Sequence, residues 1–434
     1  MKALIIAAGE GSRFGELTRS TPKPLLQVLG LTLIERCILS ARDAGIEEFV
    51  VVTGYLGDKI RDKLGDGRRY GVKINYIENK EWDKGNGLSV LIAKQNIKER
   101  FILLMSDHIF DSEIIRRLLK IRIEKGEGVL VVDYNPKSYV DIADATKVKI
   151  SDGKVVDIGK NLSDFDAVDC GIFLLSPDIF DAVEESIRRG DDSLSGGIKV
   201  LAEREKMKVM DIEDYFWIDV DTRDALKNAE KEMLRRLTKA TDGPVSKYLN
   251  RPVSRYLSKL LVKTSISPDA ISLLSFLMCI LASYLFSLGD YLSFLAGGLV
   301  AQFASIVDGC DGEIARLKFQ CSRYGAWLDA NLDRYADALM ILGLCYGYWI
   351  SNASTDIWIV GFFALIGSFM NSYTAVKYDD IFRGGEKIPR FRIGRDLRIF
   401  LIMVGTLLNQ IFAMLIVLAI ITNAESVRRL IVLK

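Results

Sequence analysis

Between Asp308 and Asp333 the chain reads DGCDGEIARLKFQCSRYGAWLDANLD, which sets Asp308, Asp311, Asp329 and Asp333 inside a C-terminal half that is otherwise strongly apolar. No other stretch limits the fold as much. A carboxylate at membrane depth costs at least about 2.5 to 3.5 kcal/mol even on the mildest insertion scale, so four of them need a compensating partner. Long Lys and Arg side chains snorkel to water, but the short Asp side chain has no such reach. Two divalent cations would cancel four carboxylates, and a donor set made only of oxygen favours a hard ion, Mg²⁺ or Mn²⁺, over zinc. On helices, Asp308 and Asp311 are three positions apart and Asp329 and Asp333 four apart, so each pair shares a face and the two pairs can close one pocket. Gly312 and Gly325 remove side chains where a bulky nucleotide must come close, and Arg316 offers a fork for phosphate.

The surrounding apolar sequence divides into spans. Uncharged runs at Ile271–Leu288, Tyr291–Val307 and Ile357–Val376 are long enough to cross a bilayer, and a fourth span, Tyr324–Ile350, is charged only in its first half. The uncharged run Ile399–Thr422 reads as two short spans broken near Asn409-Gln410, because a single crossing would carry Arg428, Arg429 and Lys434 outside. The expectation is an all-α polytopic membrane domain of about six transmembrane helices. Gly289-Asp290 and Ser351–Asp356 lack Lys and Arg, whereas Arg316, Lys318 and Arg323 crowd one connection and Lys377, Arg383, Lys387, Arg390, Arg392 and Arg395 another. The positive-inside rule puts those basic connections, and the aspartates with them, on the cytoplasmic side of the cell membrane. Arg390, Arg392 and Arg395 are candidates to hold a phosphorylated acceptor. Ahead of the spans, Lys247, Arg251, Arg255, Lys259 and Lys263 recur every four residues. That is the pattern of an amphipathic juxtamembrane helix with one basic face on anionic headgroups and Leu249, Tyr256 and Leu260 toward the acyl boundary.

The first half has a different period. Overall values of 49% hydrophobic and 26% charged residues average two unlike parts, and a net charge of +1 supplies no basic field for nucleic acid, which is excluded as a principal partner. Six scattered cysteines contain no CxxC pair, so neither a zinc site nor a disulfide framework is indicated. The opening MKALIIAAG is an apolar strand flowing into a glycine loop, too short for a signal peptide, so the N-terminal domain is expected in the cytoplasm. Ala3–Ala8 ends in Gly9-Glu10-Gly11-Ser12-Arg13, followed by Thr21-Pro22-Lys23-Pro24-Leu25: strand, phosphate loop, then an ordered lysine. Glycines let backbone N–H groups approach phosphate oxygens, and Arg13 and Lys23 can neutralise a triphosphate as pyrophosphate leaves. Candidate strands at Glu48–Thr53, Lys73–Ile77, Phe101–Met105 and Gly128–Asp133 alternate with helical stretches, a Rossmann-like α/β pattern with a mostly parallel sheet. Asp107 follows the strand FILLM at the carboxyl edge where such sheets place ligands. It can share a divalent ion with Asp221, Asp219 being a further candidate ligand, while His108, the only histidine, reads as a hydrogen-bonded loop residue. Low periodicity at Leu237–Gly243 sets the boundaries: residues 1–236 form the nucleotide domain, 237–263 the linker and juxtamembrane helix, and 264–434 the membrane domain.

Ala7–Arg13 and Pro22–Leu25 match AAGxGxR followed by PKPL, and residues 1 to 235 thereby resemble the sugar-phosphate nucleotidyltransferases. The resemblance implies that Gly9, Gly11, Arg13 and Lys23 cradle the triphosphate, that Asn86, Gly87 and Ser89 lie where the base is read, and that Asp107 and Asp221 hold the metal. Lys160 in IGKNL resembles the lysine that holds the acceptor phosphate, and Asp169 in VDCGIF is placed in the acceptor pocket. The spacing D-x2-D-G-x2-A-R-x8-G-x3-D-x3-D resembles the CDP-alcohol phosphotransferase signature without a departure. It implies metal ligation by Asp308, Asp311 and Asp329, with Asp333 as general base and a further contact to metal, and a homodimer as the expected assembly.

One domain able to make a CDP-activated compound and another able to consume it resemble the bifunctional inositol-1-phosphate cytidylyltransferase and di-myo-inositol phosphate phosphate synthase proteins of heat-adapted prokaryotes. That resemblance implies CTP and inositol 1-phosphate as substrates, CDP-inositol as intermediate, and di-myo-inositol phosphate phosphate and CMP as products, in osmolyte synthesis. An alternative is a phospholipid synthase acting on CDP-diacylglycerol and a polar alcohol, with the first domain regulatory or activating another substrate. A third, non-catalytic alternative is a nucleotide-sensing membrane protein whose aspartates carry an ion.

Overall fold

Short β-branched runs in the first half pair into a nine-stranded sheet. The computed structural model describes residues 1–238, 242–382 and 393–432, in two units, Met1–Glu232 and Met233–Lys434. The strands are β1 (Lys2–Ala7), β2 (Gln27–Val28), β3 (Leu31–Thr32), β4 (Glu48–Thr53), β5 (Lys73–Glu78), β6 (Phe101–Met105), β7 (His108–Phe110), β8 (Gly128–Asp133), β9 (Lys147–Ser151), β10 (Lys154–Gly159), β11 (Ala167–Leu175), β12 (Met207–Asp211) and β13 (Trp217–Asp219). The large sheet runs β5-β4-β1-β6-β11-β8-β12-β10-β9. Within its parallel portion Leu4 of β1 lies between Val50 of β4 and Leu103 of β6, all three buried. Strands covered on both faces carry such unbroken apolar runs.

Beyond β6 the expected parallel order fails. β11 runs antiparallel to β6 and β8, and β10 antiparallel to β9 and β12. One reversal has a local cause: Asp152 and Gly153 both take positive φ, 49° and 72°, the Asp-Gly turn that closes a two-residue hairpin between β9 and β10. A bulge in β11 between Asp169 and Phe173, with Gly171 at φ 66°, turns that strand at the sheet's carboxyl edge. There the separate β7–β13 ribbon pairs His108 with Asp219.

The second unit is helical: α1 (Arg251–Leu261), α2 (Pro268–Ser287), α3 (Tyr291–Leu317), α4 (Arg323–Asn352), α5 (Asp356–Phe382), α6 (Arg395–Leu407) and α7 (Ile411–Val432). By length and composition α2, α3, Asp356–Tyr378 of α5, and α7 can each cross a membrane. α4 carries too much charge along its first half, and α6 has 13 residues. Six helices after Pro268 are compatible with the expected six spans, and the chain does break between α6 and α7, where Asn409 takes φ 53°. Cys279, Phe286, Ala301, Ala304, Met340 and Leu344 form the packed centre of α2, α3 and α4.

Of the basic residues that recur every four positions from 247 to 263, Lys247 and Lys263 are exposed, Arg255 and Lys259 are half-buried and Arg251 is buried. Asn250, Arg251, Ser254 and Ser258 are buried, while Tyr248, Leu249, Val253, Tyr256 and Leu260 are exposed. The reason is a buried acid on α3: Glu313, fully buried, accepts from Arg251 Nη1 and Ser254 Oγ, both at 2.7 Å, and the other edge of Arg251 meets Asp242 at 2.8 and 2.9 Å. Removing one partner of a buried pair leaves an uncompensated charge. Arg251→Ala should therefore lower stability by about 3 to 5 kcal/mol, whereas Glu313→Gln, which keeps an acceptor for both donors, should cost clearly less. Thermal unfolding of the detergent-solubilised protein checks the order.

Candidate active sites

The loop after β1 is shaped around one lysine. Gly11 takes φ 67°, and a Cβ there would lie 2.6 Å from Lys23 Cβ, so only glycine lets the short helical turn Lys23–Leu25 close against the loop. Lys23 is buried, and its Nζ lies 2.5 Å from Asp107 Oδ2 and is also ion-paired with Asp221. Burial alone would depress this ammonium, but Asp107, Asp219 and Asp221 outweigh it and raise its pKa. Asp107 responds in the opposite sense: burial would raise its carboxyl, yet Lys23 and His108 hold it down at about 2. Arg13 Nη1 reaches Asp221 Oδ2 at 2.6 Å and forks onto Asp144, whose Oδ1 also accepts from Lys160 Nζ at 3.1 Å.

Asp107, Lys160, Asp169, Asp219, Asp221 and Asn86 line one cavity of about 710 Å³. Asp169 is pushed up to about 6 by burial, although its Oδ1 accepts from the Gly171 N–H at 2.7 Å. Its bulged strand explains why an acid this far from the glycine loop reaches the same cavity. Gly87 and Ser89 are also bonded within the protein. Ser89 is buried and bonded to Asn79 at 2.9 Å, and Gly87 N–H donates to Asp192 O at 2.9 Å, so both hold the helix Asn86–Leu91 in place. Asn86 accepts from Leu194 N–H at 2.8 Å and still faces the cavity. His108 belongs to a strand, not a loop, and with Asp107 and Asp219 it brings three ligand atoms within 4.8 Å of one another. Asp221 stands instead against Lys23 and Arg13. Asp144 was missed by the sequence reading, since an Asp in a polar loop carries no distinguishing pattern.

In the second unit the two aspartate-bearing helices converge as their spacing suggests. Asp308 and Asp311 of α3 and Asp329 of α4 offer oxygens within 4.8 Å of one another. Ser275 Oγ donates to Asp308 at 2.9 Å and Ser272 Oγ to Asp311 at 2.5 Å, so α2 orients both acids. Asp333 is engaged differently: it pairs with Arg395, whose Nη1 is also 3.1 Å from Asp308 and whose Nε is 3.4 Å from Asp337. Asp337 in turn meets Arg398 at 3.0 Å and accepts from Ser368 Oγ at 2.7 Å. Asp337 and Arg398 escaped the sequence reading, though Asp337 extends the D-x3-D interval by one further turn. Arg316 donates to Leu237 O at 3.3 Å with its fork beside Gly312. Gly325 lies next to Ser322 and Asp269. Asn250, Ser254, Asp308, Asp333, Arg395 and Arg429 line a cavity of about 320 Å³. Arg390 and Arg392 lie outside the described residues.

Residues 2–236 match the Nucleotidyl transferase family and residues 265–425 the CDP-alcohol phosphatidyltransferase family. The bifunctional IPC transferase and DIPP synthase of Rubrobacter xylanophilus is 39% identical over 100% of this chain and 96% of its own length. The chain belongs to the bifunctional IPC transferase and DIPP synthase family. Its Aquifex aeolicus relative of the same name is 35% identical over 97% of this chain and 95% of that protein. The solved inositol-1-phosphate CTP transferase from T. maritima covers 53% of this chain and 96% of that chain at 25% identity, with a TM-score of 0.46.

A bifunctional IPC transferase and DIPP synthase thus joins two enzymatic domains, each of a class that generally uses divalent metal ions. Both sites fit such an ion. In the second the donors are all carboxylate oxygens, and in the first Asp107 Oδ1 is buried without a hydrogen-bond partner, with Asp219 Oδ1 nearby and 3.4 Å from His108 Nε2. Lys23 stands where a cation between Asp107 and Asp221 would stand. Lys23→Met should therefore tighten Mn²⁺ binding in the absence of nucleotide, followed by spin resonance. It should also slow CTP-dependent pyrophosphate release by about 100-fold or more, the usual cost of losing a charge-stabilising donor. Asp337→Ala, which removes one of the partners that orient Arg395 and Arg398, should slow CMP release by about 10- to 100-fold without abolishing it, as loss of an orienting partner does.

Proposed function

We propose that this protein performs two successive transfers through a cytidine diphosphate intermediate. In the first unit, a phosphate oxygen of inositol 1-phosphate attacks the α-phosphorus of CTP; CDP-inositol forms as the bond to pyrophosphate breaks. In the second, a hydroxyl of another inositol 1-phosphate attacks the inositol-bearing phosphorus of CDP-inositol. The anhydride bond breaks, CMP leaves, and di-myo-inositol phosphate phosphate is the product. The observation that carries this reading is the completeness of both sites in one chain: Arg13, Lys23, Asp107 and Asp221 in one unit, and Asp308, Asp311, Asp329 and Asp333 in the other. The names of the full-length relatives favour inositol as the alcohol.

Arg13 and Lys23 hold the triphosphate and spread the charge that develops on pyrophosphate, and Lys160 holds the acceptor phosphate in line. Asn86 contacts the nucleotide, and Asp169 accepts from acceptor hydroxyls. In the second site Asp308, Asp311 and Asp329 hold Mg²⁺ or Mn²⁺, which when bound neutralises the anhydride phosphates. Asp333 accepts the proton of the attacking hydroxyl, and Arg395 orients it. A carboxylate is a weak base at neutral pH, so the proton moves late, as the new bond forms. Arg316 meets the nucleotide phosphates beside Gly312. The helical unit is multi-pass in the cell membrane, both sites open to the cytoplasm, and two copies pair.

Mass spectrometry of the purified protein incubated with CTP, Mg²⁺ and inositol 1-phosphate tests the reading. The wild type should release pyrophosphate and CMP. Asp333→Asn should accumulate CDP-inositol with pyrophosphate but no CMP, and Lys23→Ala should make CMP only from supplied CDP-inositol. An absence of CDP-inositol from wild type and Asp333→Asn alike would overturn the first step. Label from CDP-diacylglycerol entering an organic-phase product would replace the second.

A further inference from the structure

Arg13 and Lys160 hold different substrates in the reaction above, yet both bond the same carboxylate. Asp144 takes the Arg13 guanidinium fork on both oxygens, and its Oδ1 is 3.1 Å from Lys160 Nζ. A carboxylate received by a guanidinium in this two-pronged way uses the geometry with which arginine receives phosphate. The segment Pro136–Ala145, which forms one wall of the first cavity, contains no helix or strand. Its start is tied by Lys137 to Asp214 at 3.8 Å and by the Tyr139 ring against Phe216, and its end by Asp144. All three side chains in the Asp144 cluster are between one-third and about one-half exposed. Ion pairs so exposed are weak and exchange readily.

We propose that Asp144 occupies, in the unliganded enzyme, the anion position where the two substrates' phosphates meet, and that it is displaced when they bind. The inference rests on the nucleotidyl-transfer reading of this cavity. The other acids here are not in the same position. When phosphates draw Lys23 and Arg13 away, Asp107, a member of a candidate metal group, and Asp221, which shares the Lys23 ammonium with it, can take a metal ion in that cation's place, but Asp144 has no contact with Lys23 or Asp107 and would face phosphate with like charge. Its segment therefore withdraws from the cavity. Asp144 sets a threshold. A ligand that offers one phosphate group must break the pairing with Arg13 and Lys160 and replaces half of it, whereas nucleotide and acceptor together replace all of it. Asp144 is in this sense a specificity residue, directed against pyrophosphate and free phosphate.

Isothermal titration of the full-length protein in detergent tests this, with Mg²⁺-CTP and Mg²⁺-pyrophosphate as the probes. Asp144→Asn and Asp144→Ala should both bind each probe about three- to tenfold more tightly than wild type, the range set by exchangeable ion pairs. Asp164→Asn removes an exposed charge outside this cavity and should leave both affinities unchanged. Equal or weaker binding by the Asp144 variants overturns the proposal. So does a raised KM for inositol 1-phosphate at unchanged CTP affinity, which would make Asp144 a direct acceptor contact. Failure of the wild type to bind CTP at all is a separate result, which removes the nucleotidyl-transfer reading beneath it.

Discussion

Carboxylates placed among apolar helices can persist only if something of opposite charge or with hydrogen to donate meets each of them. The second unit is arranged around that requirement. Ser272 and Ser275 on α2 donate to Asp311 and Asp308, and Arg395 at the start of α6 spans Asp308, Asp333 and Asp337. Arg398, one turn later, meets Asp337 together with Ser368 of α5. Five helices are thereby committed to one polar centre. Glu313 repeats the logic a turn past Asp308, where it holds Arg251 and Ser254 of α1 inward.

The first unit solves the same problem at the edge of a sheet. Lys23, Arg13 and Lys160 are each satisfied by acids of their own chain, and the acids by them. Positioning is shared among separate segments: the glycine loop after β1, the turn after β6, the ribbon β7–β13 and the bulged β11. None of these segments holds a site alone. The geometry arises because β1, β6 and β11 lie side by side, with the ends of β1 and β6 and the start of the antiparallel β11 at the same edge.

Motif residues were legible in the sequence because their chemistry requires fixed intervals. AAGxGxR, PKPL and the aspartate spacing located Arg13, Lys23 and the three acids that converge on α3 and α4, and apolar runs located β1, β4, β5, β6 and β8 closely. What escaped was contact across long separations. Asp144 reaches Arg13 from 131 positions away, and Arg398 is paired with an acid on α4. Strand direction was illegible for a related reason: an apolar run does not reveal which neighbour it will pair with, and the Asp152-Gly153 turn was the one local sign of a reversal. The burial of Arg251 was illegible because every fourth residue being basic does not reveal which of them a buried partner such as Glu313 will claim.

The break at Asn409 bears on the thickness of any bilayer around this unit. Thirteen residues of α6, at about 1.5 Å each, rise roughly 20 Å, about two-thirds of a typical hydrocarbon core. Where α6 crosses the bilayer as proposed, the lipid annulus beside it must thin, or admit water to Asn409 and Gln410, and either response is a hydrophobic mismatch with a local elastic cost. Because Arg395 and Arg398 sit at the opposite end of that helix, the mismatch bears on the rim of the aspartate centre. Lipid chain length would then act on the site mechanically, through the depth at which α6 settles.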